Sequence, residues 1–305
     1  MIGFNEIYEE VYKECNDSLE NKRIAVKNYQ IISFIIFIGL GVFLAIMYKY
    51  PVFVFIGIMI WTLIIGFSKK SRQYNSEFKN NVIKKFVKSY CDTLTYSPER
   101  GISSQIYREA EFEHYDRYSS EDYISGILED GYAIEMAEVH TEDESTDKDG
   151  HTTYTTIFYG LFARVSFDKA VFGTIKIRKN KLKLFGNKDR IEMDSGEFEK
   201  IYDVYADDKI IAMQLLTADI MQMFIDFKNK YKISPELTIR QNKLYIRFAT
   251  GNVFEANVLK RALDYDTLKK YYDTINFTLR ITEKMLKNIK ETELWFFYNC
   301  KKYTM

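Results

Sequence analysis

Three groups of residues in this 305-residue chain are of types that do chemistry. The first is an acidic stretch between two histidines, running from His140 through Asp147-Lys148-Asp149-Gly150 to His151. Carboxylates at alternate positions before a glycine suit a calcium loop of the EF-hand type, and histidine with carboxylate suits a divalent transition metal. Placing Gly150 at the sixth loop position puts Ser145 at the first and Thr156 at the twelfth, so both terminal acidic ligands are missing. Across a hairpin His140 and His151 can approach each other, with Glu142 or Asp143 nearby. His140, Asp147, Asp149 and His151 are therefore the candidate metal ligands, although their spacing favours a solvated charged loop.

The second group is Asp207-Asp208. Paired carboxylates serve acid–base or metal chemistry, which makes a carboxylate-dependent enzyme an alternative reading. Directly before a helical stretch, however, acidic side chains accept hydrogen bonds from the free N–H groups of the first turn, and capping is the favoured role. The third group is scattered. Cys91 has no histidine close in sequence, and His114 sits in the charged run Glu-Phe-Glu-His-Tyr-Asp-Arg-Tyr. Walker A, Gly-x-Gly-x-x-Gly, His-Glu-x-x-His and Gly-x-Ser-x-Gly motifs are all absent, and three histidines leave little for histidine acid–base chemistry. The residues therefore name no catalytic group and no cofactor, and they lean away from an enzyme.

The elements that must position these residues begin with two charge-free apolar runs, 29–48 and 52–68, separated by Lys49-Tyr50-Pro51. Twenty residues at about 1.5 Å each give roughly 30 Å of helix, the thickness of a hydrocarbon core, and 17 is near the lower limit for a span. A signal peptide does not follow almost thirty polar residues or continue into a second apolar run. The pair is expected to be a transmembrane helical hairpin with the lipid bilayer as partner. Gly39, Gly41, Gly57 and Gly66 are small positions where the two helices can approach, and Pro51 suits the first turn of the second. Lys22, Arg23 and Lys27 precede the first run and Lys69, Lys70 and Arg72 follow the second, so both termini are expected in the cytoplasm of a multi-pass inner-membrane protein. Cys15, Cys91 and Cys300 are an odd, scattered set, consistent with a reducing compartment.

Beyond residue 73 the chain carries 35 basic and 37 acidic residues. A balance this close to neutral argues against nucleic acid as a partner. Phe4, Ile7, Tyr8, Val11, Cys15 and Leu19 recur at helical spacing over 1–28, as do Phe78, Val82, Phe86 and Tyr90 over 69–95. These two amphipathic helices leave the membrane side by side and are expected to pack antiparallel as a stalk.

From Ser97-Pro98 onward the periodicity turns towards two. Residues 132–140 and 154–167 read as a hairpin around the acidic loop. Residues 172–178 and 181–185 form a second hairpin, and 237–240 with 244–248 a third around Gln241-Asn242-Lys243. Residues 197–205 read as a further strand, 209–231 as helix with a second cap at Thr217, and 265–290 as helix. The fold class is thus α+β: an N-terminal two-span hairpin with helical extensions, an antiparallel-sheet domain over 96–290, and an aromatic and basic tail over 291–305 that docks on the domain or on the bilayer.

Ser125-Gly126, Phe158-Tyr159-Gly160-Leu161-Phe162, Phe198-Glu199-Lys200, Val204-Tyr205-Ala206-Asp207-Asp208, Ala212, Leu215-Leu216-Thr217 and Phe254-Glu255 occur in an order that resembles a bacterial membrane family, the domain of unknown function 3137 (DUF3137). Here Ala212-Met213-Gln214 stands where members often read Ala-Arg-Tyr, and Phe158-Tyr159-Gly160 where they often read Phe-Lys-Gly. The resemblance spans roughly residues 6–257. It implies a helix, two spans and a mixed domain, and it brings no established activity. The resulting expectation is a membrane-anchored cytosolic binding or scaffolding module with a protein partner, a second copy of the chain included. A lipid- or small-ligand-sensing domain at the inner leaflet is the alternative.

Overall fold

The computed structural model describes residues 3–66, 68–128, 131–180 and 190–302, and it divides into two compact units. The first comprises Met1–Ser89 with Phe254–Lys269, the second Tyr90–Val253 with Lys270–Met305.

In the first unit the amphipathic segment and the first apolar run are one continuous helix, α1, Phe4–Tyr48. No proline interrupts these 45 residues, so the rod is about 68 Å long. Lys49 ends it in the left-handed conformation (φ 59°), and the chain turns into α2, Val52–Gly66. The two helices meet at glycines. A Cβ on Gly41 would lie 2.7 Å from the Phe53 carbonyl oxygen, and one on Gly57 would lie 2.6 Å from that of Phe37. Trp61 then donates its indole N–H to the Gln30 carbonyl at 3.1 Å and sets its ring edge-on to Phe34.

The expectation of two full spans is met only in part. Among the described residues one helix, α1, is long and apolar enough to cross a bilayer. The 15 residues of α2 cover about 22 Å, short of a 30 Å core.

The expected single helix over 69–95 is instead α3, Lys69–Phe78, and α4, Lys84–Tyr90, joined by a π-helical turn at Lys79–Ile83. The wider turn lets consecutive Val82 and Ile83 both face inward with Tyr74, Phe78, Phe86 and Val87. Phe4, Ile7, Val11, Cys15 and Leu19 of α1 are likewise buried. Ion pairs Lys22–Glu77 and Lys85–Glu14 match early residues of one helix with late residues of the other, so α1 runs antiparallel to α3 and α4. The segment 254–269 lies along the same helices: Tyr8 donates to the Leu263 carbonyl at 3.0 Å, and Tyr265 sets its ring edge-on to Phe4 and Tyr8.

The second unit is built on an antiparallel sheet of seven strands: β1 Thr95–Ser97, β2 Arg117–Ile127, β3 Ala133–Thr146, β4 Thr152–Lys179, β5 Arg190–Ile191, β6 Tyr202–Ala206 and β7 Glu236–Phe248. Its helices are α5 Ser104–Glu109, α6 Gly196–Glu199, α7 Lys209–Leu215, α8 Ala218–Tyr231 and α9 Tyr265–Lys302, the last from Lys270 onward. The 28-residue β4 is the spine. It lies between β3 and β7 over 161–166 and between β6 and β7 over 175–177.

The hairpin around the acidic loop is present as β3 and β4. Two others are not. Residues 172–178 continue β4, and 181–185 lie outside the described residues. Residues 236–248 form one strand, in which Gln241 adopts φ 54° opposite a register shift of β4, so the polar triplet marks an irregularity rather than a turn. Residues 197–205 divide into α6 and β6. The helix over 209–231 breaks at Leu216 (ψ 65°) into α7 and α8. Thr217 occupies the N-cap of α8 as expected, but its hydroxyl donates to Asp219 instead of accepting from the backbone.

Both faces of the sheet are covered, so the alternation of a half-solvated sheet fails on the central strands. On one face Phe198, Tyr202, Phe224, Phe248 and Phe277 pack edge-to-face, with Phe227 tilted against Phe248 and Phe277, between strands and helices. On the other, Tyr107, Tyr115, Phe158, Phe162 and Tyr245 form the core.

Candidate functional site

Glu138 lies in the middle of β3, directly opposite Glu121 on β2 and Leu161 on β4. Opposed residues of antiparallel strands project to the same face, as do residues two apart along one strand. Glu138, Glu121, His140 and Tyr159 therefore share a face, and with Ser119 and Ser120 they line a cavity of about 320 Å³. Glu138 is 2% exposed. Its carboxyl accepts the Val253 N–H at 2.7 Å and the Tyr159 hydroxyl, and the Tyr159 ring lies 4.7 Å from that of His140.

The neighbouring loop is brought in by Gly160. A Cβ there would sit 2.0 Å from the Phe248 carbonyl oxygen and 2.6 Å from the Thr250 nitrogen, so only glycine lets the turn after β7 close over β4. Burial raises Glu138 from 4.5 to about 7, more than the two hydrogen bonds lower it, while Asp122 and Glu121 add repulsion. A carboxyl poised at neutrality in a cavity can hold a proton, release one, or pair with a cationic group. Burial likewise raises the Tyr159 hydroxyl, reinforced by the charge of Glu138.

The metal candidates do not converge. Asp147 Oδ1 accepts the N–H groups of Asp149 and His151, both at 2.9 Å, and so closes the hairpin tip as an Asx turn with Gly150 at φ 82°. His140 pairs with Tyr159 six residues back along β3 from the Thr146–Thr152 closing pair, about 20 Å from the tip. Its Nε2 shares a hydrogen bond with Thr156 Oγ1 at 3.0 Å.

Asp207 and Asp208 are likewise separated by their backbone partners. Asp208 caps α7, accepting from Ile210 and Ile211 at 2.7 and 3.1 Å. Asp207 turns to β4 and accepts the Thr174 N–H at 2.7 Å. Both are exposed, which removes the geometric basis for a carboxylate-pair enzyme there. Asp207 does line a cleft with Lys176, Arg178 and Glu111, whose charges are already engaged. Lys176 pairs with Glu111 at 2.8 Å, and Arg178 donates to the Leu237 carbonyl and Thr238 Oγ1 at 2.6 and 2.7 Å. Cys91 lies beside Thr93, 3.1 Å from its hydroxyl. The side chains of the aromatic patch Leu294–Tyr298 lie outside those described.

A second buried polar cluster holds the sheet's other face. Arg247 pairs with Glu113 and with Glu236 (2.5 Å), donates to the Tyr107 hydroxyl at 2.8 Å, and packs its guanidinium over Phe112 and Phe158. Burial alone would raise Glu236, but Arg247 and the Lys179 N–H outweigh it and hold the carboxyl below its ordinary value. Burial pulls Arg178 down to about 10. Every charge in this cluster has an internal partner, so it stabilises the fold and presents nothing to a ligand.

Residues 156–287 match the family described as "Protein of unknown function (DUF3137)". No curated protein matches the sequence. Among solved structures, the chain is similar to the crystal structure of the mycobacterial trehalose monomycolate transport factor A, TtfA, at 11% identity and a TM-score of 0.35. That likeness covers 68% of this chain and 94% of that one.

Proposed function

We propose that this chain, a DUF3137 protein across residues 156–287, is a membrane-anchored binding module whose sheet domain engages a protein partner at the inner face of a bacterial membrane. In this reading α1 and α2 together form a two-span hairpin with both termini in the cytoplasm. The observation that carries it is the apolar surface the two helices leave uncovered. Ile35, Ile46 and Phe55 are 63%, 73% and 69% exposed, alongside Ile32, Ile36, Phe43, Met47, Val52 and Met59. Monomeric soluble proteins rarely leave a contiguous apolar surface of more than a few hundred Å² open. The flanking Lys27, Lys69, Lys70 and Arg72 suit a cytoplasmic boundary.

The reading is tested by alkaline extraction of membranes from cells making the full chain, followed by purification in mild detergent. Retention in the pellet and a stoichiometric co-purifying protein, or a second copy of the chain, are expected. Release by alkali would end the anchoring part. Isolation of the bare monomer under several growth conditions would end the partner part.

A second reading, a small-ligand sensor, is favoured by the Glu138 cavity, because a buried carboxyl beside an open volume is a common feature of binding sites. It expects ligand-induced thermal stabilisation that Glu138→Gln abolishes.

A further inference from the structure

The loop between β7 and α9 carries the most exposed large apolar side chain outside the apolar helices, Leu259, at 83%. An exposed leucine at the tip of a loose loop would mean little, but this loop is fastened to the two helices that lead into the apolar zone. Arg23 of α1 donates to the Val258 carbonyl at 2.8 Å while gripping Glu20, whose carboxylate in turn accepts the Ala262 N–H at 3.0 Å. From α3, Asn75 accepts the Ala256 N–H at 2.9 Å and Tyr74 donates to the Asn257 carbonyl. Asn257 Oδ1 accepts the N–H groups of Leu259 and Lys260, at 2.8 and 3.1 Å, which fixes the turn that presents the leucine. Val253, Phe254, Ala262 and Leu263 are buried on either side of it. The fold thus holds one apolar side chain outward between two anchored flanks.

The level of its anchors follows from the helices. Arg23 precedes the apolar run of α1 by six residues and Tyr74 follows Ser68 by six, so both anchors sit about 9 Å along their helices from the apolar boundary. The headgroup layer of a bilayer is roughly 5–8 Å thick on each side, so the anchors of the turn lie at its outer edge. Between the anchors and the boundary the charged residues are Lys27, Lys69, Lys70 and Arg72, with no carboxylate among them, and Lys70 lies over the Tyr29 ring. Basic side chains between an exposed apolar residue's anchors and the apolar boundary are a composition that meets an anionic leaflet.

From these observations we infer that Leu259 is a membrane-inserted finger: the 256–262 loop forms an additional contact with an anionic leaflet beside the helical anchor. The inference rests on the membrane-anchored reading, and its test separates the two. The full chain carrying Trp295→Phe is reconstituted in vesicles of phosphatidylcholine with phosphatidylglycerol, with or without lipid brominated near the headgroup or deep in the acyl chain. The native Trp61 reports anchoring, and Leu259→Trp in a Trp61→Phe background reports the finger.

The expected result is quenching of Trp61, together with quenching of the tryptophan introduced at position 259 by the shallow bromines, stronger when phosphatidylglycerol carries them. Asp17→Trp, about 18 Å down α1 from the apolar boundary, serves as the dark control and stays unquenched. Quenching of Trp61 with none at position 259, or no more at position 259 than at position 17, overturns the finger and leaves the anchor standing. Equal quenching by brominated phosphatidylcholine overturns the anionic preference. No quenching at Trp61 overturns the anchor and the finger with it. Because Leu259 is exposed and its backbone carries the turn, the substitution leaves the fold intact, which thermal unfolding of the variant checks.

Discussion

Glu138 shows how one residue converts burial into a pH response. Below about pH 4.5 its carboxyl is protonated whether the chain is folded or not, so burial has no ionisation to oppose. Between 4.5 and about 7 the unfolded chain gives up the proton first while the folded chain keeps it, so stability declines as pH rises through that window. Above about 7 the loss is complete and levels off, at on the order of 3 kcal/mol. Glu138→Gln keeps an acceptor for the Val253 N–H and removes this titration, so its unfolding free energy should fall less steeply than the parent's across pH 5–8. Denaturant unfolding at four pH values would decide it, and an equal slope in both proteins would refute the assignment. Arg247 is the opposite case, a charge whose partners depend on it. Arg247→Met leaves the half-buried Glu113 and Glu236 without their ion-pair partner, and the cost expected is about 2–4 kcal/mol, read as a lowered unfolding midpoint. Replacing an exposed partner such as Lys85 should cost less than about 1 kcal/mol.

Elements were legible in the sequence where one force dominates. The helical spacing of Phe4, Ile7, Val11, Cys15 and Leu19 survives in the structure because burial selects it, the charge-free run after Tyr29 stays helical because nothing interrupts it, and the segments flanking the acidic loop pair as β3 and β4. The reading failed where a local signal was outvoted by tertiary pairing. Gln241-Asn242-Lys243 has turn composition, yet Gln241 and Lys243 on either side of Asn242 pair with β4, and pairing absorbs the triplet as an irregularity. Glu138 lies in a strand that carries no motif. Period two nevertheless puts it on the face of Ile134 and Met136, both buried, and a carboxylate on a core-facing position was the available signal. Its cavity partners come from β2 and β4 and its backbone donor from Val253, which no sequence spacing connects. The helix pair supplies its own test at this scale. Gly57→Leu forces a side chain against the Phe37 carbonyl, so α2 must withdraw from α1 at an expected cost of about 1–3 kcal/mol. Loss of the Trp61–Phe34 contact should then change the Trp61 emission, and an unchanged spectrum would show that the helices do not meet at these glycines.

For the molecule as a whole, the decisive quantity is the free energy of placing the α1 apolar surface in hydrocarbon instead of water. Ile36 is 57% exposed near the middle of the 29–48 run. If that run crosses a bilayer, position 36 lies deep in the core, where an arginine opposes insertion by about 2.5–3.5 kcal/mol and the lost isoleucine adds a few tenths more. If α1 were instead a surface helix of a soluble protein, the same arginine would face water and change stability by less than about 0.5 kcal/mol. Ile36→Arg therefore separates the two cases by roughly two orders of magnitude in the membrane-to-soluble ratio. Lys13→Leu, on the charged part of the same helix, should leave that ratio unchanged. The measurement is the fraction of full-length chain resisting alkaline extraction in matched expressions of parent, Ile36→Arg and Lys13→Leu. A marked fall confined to Ile36→Arg is expected. Equal retention of all three would mean that hydrocarbon does not surround the 29–48 run and that something other than α1 holds the chain to the membrane.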